Sequence, residues 1–336
     1  MEYRRLGHSG LWVSPLCLGT MLFGAQTKEA AARRMLDLAR AAGVNFIDTA
    51  DQYVRGRSEE IIGKAVAKDR DDWVIATKVG TPWSQRPNQS GAGRAWIMHQ
   101  VEASLRRLHT GYIDIYYTHI DDEGTPVEET VRAMGDLIRA GKVRYFGISN
   151  YRGWRIALVA EACDRLGVPR PVVCQPYYNA MNRMPEVEVL PACGHYGIGV
   201  APYSPIARGV LTGKYSTTAA PPKSTRAGRG DARIMSSEYR PESLVMAQII
   251  KQHAEGRGMT AAQFAVLWVL NNRLVTSAIA GPRTIPQWRE YLGAFDHAFE
   301  AGDEALVDSL VPAGHPSTPG YTDPSYPIAG RPTWTG

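Results

Sequence analysis

The sequence predicts an α/β fold of the (β/α)8 barrel type, a TIM barrel, with a long loop after the seventh strand. Three observations carry the prediction. Eight short, apolar, β-rich runs recur between residues 16 and 281. Helical stretches lie between them, so that strand, helix and strand repeat as right-handed crossovers. No G-x-G-x-x-G turn follows the first run, whereas a doubly wound dinucleotide-binding sheet usually carries one; GAGRAW (91–96) lacks the third glycine and follows no strand. Two smaller α/β domains are the alternative, but no Pro/Gly/Ser linker interrupts the repeat before residue 204.

The runs are LCLG (16–19), NFIDT (45–49), WVIATK (73–78), IDIYYTH (113–119), VRYFGIS (143–149), VVCQ (172–175), GVAPYS (199–204) and TSAIAG (276–281). They are continuously apolar rather than alternating, the pattern of parallel strands covered on both faces. After the first run, TKEAAARRMLDLARAAG places Thr27 at the N-cap, Ala31, Met35, Leu38 and Ala42 along one face, and Gly43 at the stop. After the fourth, TPVEETVRAMGDLIRAG reads as a Thr125–Glu128 capping box with Pro126 in the first helical position. Val127, Val131, Met134 and Ile138 make its buried stripe and Gly141 ends it. After the eighth, Thr284 and Gln287 form another capping box, which turns a helix N-terminus toward the strand ends.

Two segments depart from the repeat. More than 70 residues separate the seventh and eighth runs, and STTAAPPKSTRAGRGDARIMSSEYRP (216–241) among them is basic and broken by Pro and Gly. Loops of that length are functional or disordered. The tail, residues 312–336, has ten Pro or Gly among 25 residues, which excludes regular structure, yet it carries Tyr321, Tyr326 and Trp334. It reads either as solvated chain or as a segment packed across a neighbouring surface. The organisation is therefore one barrel domain over 1–311 and a tail over 312–336.

Composition excludes several classes. The chain has 336 residues, 44% hydrophobic and 21% charged, which fits a globular protein and neither a disordered nor a fibrous one. Cys17, Cys163, Cys174 and Cys193 form no C-x-x-C pair and suit neither a disulfide scaffold nor a zinc cluster; they read as reduced, buried thiols of a cytoplasmic protein. The opening MEYRRLGHSG is too charged for a signal peptide, and no run approaches the roughly 18 apolar residues of a membrane span. The net charge of +5 fits an anionic partner. Residues 216–241 hold Lys223, Arg226, Arg229, Arg233 and Arg240 against Asp231 and Glu238. A nucleic-acid surface would spread such charge over a face or stripe, whereas one charged loop suits a phosphate-bearing small molecule.

In a barrel the site lies at the C-terminal ends of the strands. There the second strand ends in Asp48 with Tyr53 beyond it, the third ends in Lys78 and the fourth in His119. Singly, each has a structural explanation: a helix cap, a snorkelling lysine, a satisfied core histidine. Together they form an acid–base set. Tyrosine is a poor acid near neutral pH, and a neighbouring ammonium favours its phenolate and lowers its pKa. Lys78 is expected to supply that charge, Asp48 to hold Lys78, and His119 to donate a hydrogen bond to the reacting oxygen. Such a set suits protonation of a carbonyl oxygen while hydride reaches its carbon, and it needs no metal.

The blocks FIDTADQYVRGRSEE (46–60), TKVG (77–80), YYTHIDDEGTPVEET (116–130), GISN (147–150), QPYYN (175–179) and YSPIARGVLTGKY (203–215) strongly resemble the aldo-keto reductases, in order and at the expected intervals. The resemblance runs from Tyr3 to about residue 300. It implies that YRRLGHSGLWVS forms an N-terminal β-hairpin closing the barrel bottom. It also implies that Tyr53 is the general acid in reduction and the base in oxidation, that Lys78 lowers its pKa, that Asp48 orients Lys78, and that His119 positions the carbonyl. The implied cofactor is NADPH/NADP, with NAD as the alternative. Ser149, Asn150 and Gln175 would hold the nicotinamide amide, and Tyr203 would stack on the ring. Further cofactor contacts fall on Gly19, Thr20, Ser204, Pro205, Gly209, Leu211, Lys214 and Gly281. Residues 204–214 would wrap the pyrophosphate under the 216–241 flap, and Arg283 with Gln287 would take the adenine end and its 2′-phosphate.

Some residues depart from the family pattern. Val54 stands where many relatives have Gly, IAGPR replaces IPGAR, and Tyr291 stands where Asn is frequent. Trp83 and Phe23, together with Trp96, read as the lining of an apolar substrate site, with ordinary loop packing as the alternative for Phe23 and Trp96. The expected function is reversible NADPH-dependent reduction of an aldehyde or ketone by a cytoplasmic monomer or homo-oligomer without nucleic-acid or membrane partners. The substrate classes open to it are bulky ketones, sugars and xenobiotic carbonyls, the last being detoxification chemistry. The main alternative is a non-catalytic, nicotinamide-binding subunit resembling potassium-channel β-subunits, against which stand the complete tetrad and the few residues ahead of the hairpin. A metal hydrolase on His119, Asp121 and Asp122 lacks a second His near a strand end. A Schiff-base lyase on Lys78 leaves Tyr53, Ser149, Asn150 and Gln175 without roles.

Overall fold

The structure is a computed structural model and describes residues 1–327; Trp334 of the tail lies outside them. Two short strands, β1 (Arg4–Arg5) and β2 (Trp12–Val13), pair antiparallel as the N-terminal hairpin. The barrel strands follow: β3 (Leu16–Gly19), β4 (Phe46–Asp48), β5 (Val74–Val79), β6 (Ile113–Thr118), β7 (Val143–Ser149), β8 (Val173–Gln175), β9 (Gly199–Val200) and β10 (Ala278–Ala280). They form one all-parallel sheet in the order β10-β3-β4-β5-β6-β7-β8-β9. Isolated bridges Val200–Val275 and Tyr203–Ile279 join its two edges into a ring. The run at 199–204 keeps only two ladder residues because Pro202 offers no N–H and Ser204 turns to φ +59°.

Helices α1 (Glu29–Ala41), α2 (Arg57–Val66), α3 (Arg94–Leu108), α4 (Val127–Arg139), α5 (Gly153–Leu166) and α6 (Val189–Tyr196) follow successive strands around the outside. Between β9 and β10 come α7 (Ala232–Ser237), α8 (Pro241–Gly256) and α9 (Ala261–Asn271), and after β10 come α10 (Ile285–Leu292) and α11 (Ala301–Leu310). One apolar core lies between sheet and helices. A second fills the barrel floor, where Leu6 and Val13 of the hairpin meet Cys17, Phe46, Ile115 and Val173. Complete burial of Leu6 and Val13 stabilises this plug by about 1.5–3 kcal/mol each. The hairpin presses so closely on the floor that a Cβ on Gly7 (φ +54°) would lie 2.6 Å from Gly197 O.

Several local expectations change. Lys28, not Thr27, occupies the N-cap of α1 and makes no side-chain cap. Thr27 donates its hydroxyl to Arg283 O at 2.9 Å, tying the loop after β3 to the loop after β10. The buried face of α1 is Ala32, Met35, Leu36 and Ala39, so of the four predicted residues only Met35 is fully buried. On α4, Pro126 is the N-cap and no Thr125–Glu128 box forms. Thr125 donates to Asp122 at 2.7 Å, and Asp122 also accepts the Ala92 N–H, pinning the preceding loop. Thr284 and Gln287 do form the box on α10. Residues 216–241 fold into a short 3-10 turn and α7. The tail packs rather than floats: Ser317 N–H donates to Met181 O at 2.9 Å, Arg233 pairs with Asp323, and Arg152 donates to Tyr326 O at 2.8 Å. No helix of the described residues is long and apolar enough to cross a membrane.

Candidate active site

Adjacent barrel strands bring Asp48 and Lys78 together in the interior. Lys78 is fully buried, and its ammonium donates to Asp48 Oδ1 at 2.6 Å, to Thr49 O at 2.7 Å and to Tyr53 Oη at 3.3 Å. Gln175, at the end of β8, donates its amide to Asp48 Oδ2 at 2.8 Å, so both carboxylate oxygens are committed. Tyr53 stands on the loop before α2, where Val54, Arg55 and Gly56 take φ of +50°, +52° and +82°. A β-branched residue is strained there, so Val54 in place of glycine bears directly on the turn that presents Tyr53.

Electrostatics set the protonation states. Burial opposes the Lys78 charge, but Asp48 and Tyr53 outweigh it and hold the ammonium above the usual lysine range. For Tyr53, burial raises the phenol and Lys78 lowers it; burial wins, so the net direction is upward. Lys78 thus acts on Tyr53 in the expected, lowering direction, but burial, with Asp48 beside it, outweighs that pull. Burial, then Lys78, pushes His119 well below the usual histidine range, leaving a neutral imidazole at neutral pH. Its ring meets Tyr53 edge-on at 5.9 Å, and Nδ1 is buried without a hydrogen-bond partner among the described residues.

Beside this set, Ser149 donates to Gln175 O at 2.9 Å and Asn150 Nδ2 donates to His119 O at 2.9 Å. Asn150, at φ +64°, accepts the Tyr203 hydroxyl at 2.9 Å. These groups open onto a cavity of about 680 Å³ that continues to the start of α10. Asp48, Tyr53 and His119 line it, with Gly19, Thr20, Ser149, Asn150, Gln175, Tyr203, Ser204, Pro205, Gly209, Lys214, Gly281, Arg283 and Gln287. Lys78 sits behind Asp48 and Tyr53. Leu211 points into the core and does not reach the cavity.

Neither proposed substrate residue lines the cavity. Phe23 is fully buried in the core. Trp83 donates its indole N–H to Asp51 Oδ2 at 3.2 Å and faces a separate cleft of about 200 Å³ shared with Trp96. Asp51 is itself completely buried, and its Oδ1 has no partner among the described residues. Burial, then the nearby Glu59, pushes its carboxyl up to about 7. The cavity walls that sequence reasoning missed include Met21, Leu22 and Gln26 after β3, Arg208 in the 207–212 turn and Ser325 of the tail; Arg226, Arg229 and Arg233 of the flap and Tyr326 of the tail line it too. The flap arginines and Tyr326 were visible as charge and aromatic signals. Met21 and Leu22 looked like any core residues.

The far end of the cavity is cationic. Partial burial, then the charges of Arg283, Arg226 and Arg229, pushes Lys214 below the usual lysine range. Among the described residues, Lys214, Arg229 and Arg283 have no carboxylate within 4.0 Å, although Arg226 pairs with Asp231. Gly209 (φ +97°) leaves room for Lys214, whose Nζ would lie 2.5 Å from a Cβ there. Arg229 and Arg283 both donate to Ser224 O, at 2.7 and 3.3 Å, gathering the flap over the opening. An anion with several charges fits this cradle.

A sequence model of the aldo/keto reductase family matches residues 15–312. The relatives include the probable voltage-gated potassium channel subunit beta of Arabidopsis thaliana, 39% identical over 303 residues, 88% of this chain and 92% of the relative. The uncharacterized oxidoreductase YrpG of Bacillus subtilis (strain 168) is 35% identical over 331 residues, 95% and 98% of the two chains. The L-glyceraldehyde 3-phosphate reductase of Escherichia coli O157:H7 is 31% identical over 329 residues, 94% and 93% of the two chains. With the eight-stranded parallel barrel and the match over nearly its whole length, the chain belongs to the aldo/keto reductase family.

Proposed function

We propose that the protein is an NADP-dependent carbonyl reductase acting reversibly on an aldehyde or ketone. The observation that carries this is the joining, in one cavity, of an uncompensated cationic end at Lys214, Arg229 and Arg283 with an acid–base end at Tyr53 and His119. Three or more cations without carboxylate partners suit pyrophosphate plus a 2′-phosphate, so NADP is preferred over NAD. Arg283 and Gln287 hold the 2′-phosphate end, Lys214 and Gly209 the pyrophosphate, and Ser149, Asn150 and Gln175 the nicotinamide amide, with Tyr203 against the ring. When bound, the cofactor supplies the hydride.

The chain's own residues manage the proton. Burial keeps the Tyr53 phenol protonated at neutral pH, ready to act as an acid. The carbonyl oxygen sits between Tyr53 and His119, and Tyr53 gives its proton as negative charge builds on that oxygen. The Lys78 ammonium, 3.3 Å from Tyr53 Oη, stabilises the resulting phenolate. Asp48 keeps Lys78 charged despite complete burial. Neutral His119 donates a hydrogen bond without placing a second cation beside Lys78. In the alcohol-oxidising direction the phenolate takes the proton back. General acid catalysis of this kind contributes roughly 10²- to 10⁴-fold. Met21, Leu22 and Tyr326 add apolar and aromatic wall to the cavity, which suits a hydrocarbon substituent on the substrate.

A second reading follows from the channel-subunit name of one relative: the protein binds the cofactor and acts through a partner. Turnover separates the two. A panel of aldehydes, sugars and bulky ketones is assayed for NADPH oxidation, with cofactor affinity measured by fluorescence titration. The reductase reading expects turnover, and it expects Arg283→Ala to weaken NADPH by about tenfold more than NADH. Tight NADPH binding with no turnover on any carbonyl favours the binding-subunit reading. Equal losses for both cofactors remove the 2′-phosphate assignment.

A further inference from the structure

The reading of Tyr203 as the ring's stacking surface leaves open what holds Tyr203 itself. Its hydroxyl is tied to Asn150, and behind it lies a second aromatic, Tyr177, with ring centroids 5.6 Å apart and planes 25° from parallel. Tyr177 is buried, and its hydroxyl donates to Glu238 Oε1 at 2.6 Å. Glu238 is completely buried at the C-terminal end of α7, in the flap that carries Arg226, Arg229 and Arg233. Its carboxylate also takes the Arg208 guanidinium and the Ser237 hydroxyl. Arg208 in turn lies over the Tyr177 ring, 5.2 Å from its centroid, and precedes Gly209 of the phosphate cradle.

Three separate pieces of chain therefore meet directly behind Tyr203: the segment after β8, the 207–212 turn, and the flap. A buried carboxylate, guanidinium and phenol are costly to desolvate, and apolar packing would stabilise the fold at least as well. What the polar cluster adds is a fixed geometry between the parts it joins. We propose that Tyr177, held by Glu238 and Arg208, is a positioning residue that links the flap over the phosphate end to the Tyr203 platform at the reacting end. Closure of the flap on the cofactor's phosphates then also sets the plane against which the ring rests. The inference depends on the cofactor reading above, but it assigns a task to residues that this reading leaves without one.

The test uses 2′,5′-ADP, which carries the phosphate end of the cofactor and no nicotinamide, with hydrogen exchange as the readout. In the wild-type protein it is expected to slow exchange in flap residues 226–238 and also in residues 173–179, which it does not touch. In Tyr177→Phe, which keeps the ring but loses the hydroxyl, the flap stays protected and the protection of 173–179 disappears. In the same variant kcat falls about fivefold while the Kd for 2′,5′-ADP stays within about twofold, the signature of lost positioning rather than lost binding. Glu238→Gln still accepts the Tyr177 hydroxyl and retains the protection. The linkage is overturned if Tyr177→Phe transmits protection unchanged, or if it loses 2′,5′-ADP binding along with it, as a merely structural role would. If 2′,5′-ADP protects neither segment in the wild type, the phosphate-site reading fails and the linkage with it.

Discussion

Replacing Asp51 with asparagine removes a pH-dependent stability cost that the structure places two residues from Tyr53. Asp51 is completely buried, its Oδ1 has no hydrogen-bond partner among the described residues, and the Trp83 indole donates to its Oδ2. Burial and Glu59 push the carboxyl up to about 7, against about 3.9 for an unfolded chain. Between pH 4 and 7 the folded protein keeps a proton that the unfolded chain releases, so stability falls as the pH rises through this window. Above pH 7 the whole cost stands. Three pH units correspond to about 4 kcal/mol as an upper bound. Asparagine keeps an acceptor for Trp83 and cannot ionise. Urea unfolding of both proteins from pH 4.5 to 8 is expected to give similar stabilities at the acid end and an advantage of roughly 2–4 kcal/mol for Asp51→Asn at pH 8. Parallel stability curves for the two proteins would refute the reasoning, since they would mean that Asp51 is ionised over the whole range or that its charge costs nothing.

Two further outcomes can be measured directly. Tyr53→Phe removes the proton donor but keeps the ring, so kcat with a reducible carbonyl drops roughly 10²- to 10⁴-fold while NADPH affinity stays within about twofold; an unchanged kcat would take Tyr53 out of the acid role. Val54→Gly relieves a β-branched residue held at φ +50° and already partly exposed, and after the entropy cost of glycine it gains about 0.5–1 kcal/mol by urea unfolding. A loss of stability instead would show that the Val54 side chain contributes more packing than its backbone conformation costs.

Much of the architecture was legible because its signals are local. Continuous apolar runs bounded by helix stops gave eight strands, six of them within one residue of their observed ends, and the chemistry-bearing residues fell at strand ends where a barrel gathers them. Capping was legible only in part. Thr284 and Thr27 look alike in sequence, yet Thr284 caps α10 while Thr27 reaches a carbonyl of the loop after β10, 256 residues away. Phe23 and Trp83 were read as facing the pocket because aromatic residues on mouth loops often do. Trp83 is turned away by Asp51, a buried acceptor whose availability no local pattern reveals.

The sequence by itself determined the class of fold, singled out the four residues of the proposed acid–base set and showed the concentration of positive charge in one loop, since each depends on residue type at a fixed spacing along the chain. Tertiary structure alone decided the balances. Whether the Tyr53 phenol is raised or lowered depends on its depth in the barrel against its 3.3 Å distance from Lys78, two opposing effects whose balance is set by the three-dimensional packing. Likewise the tail's seat beside the cavity, and the meeting of Tyr177, Arg208 and Glu238 behind Tyr203, arise where distant segments converge. Partners brought together by the closing of a barrel leave no spacing in the chain from which to read them.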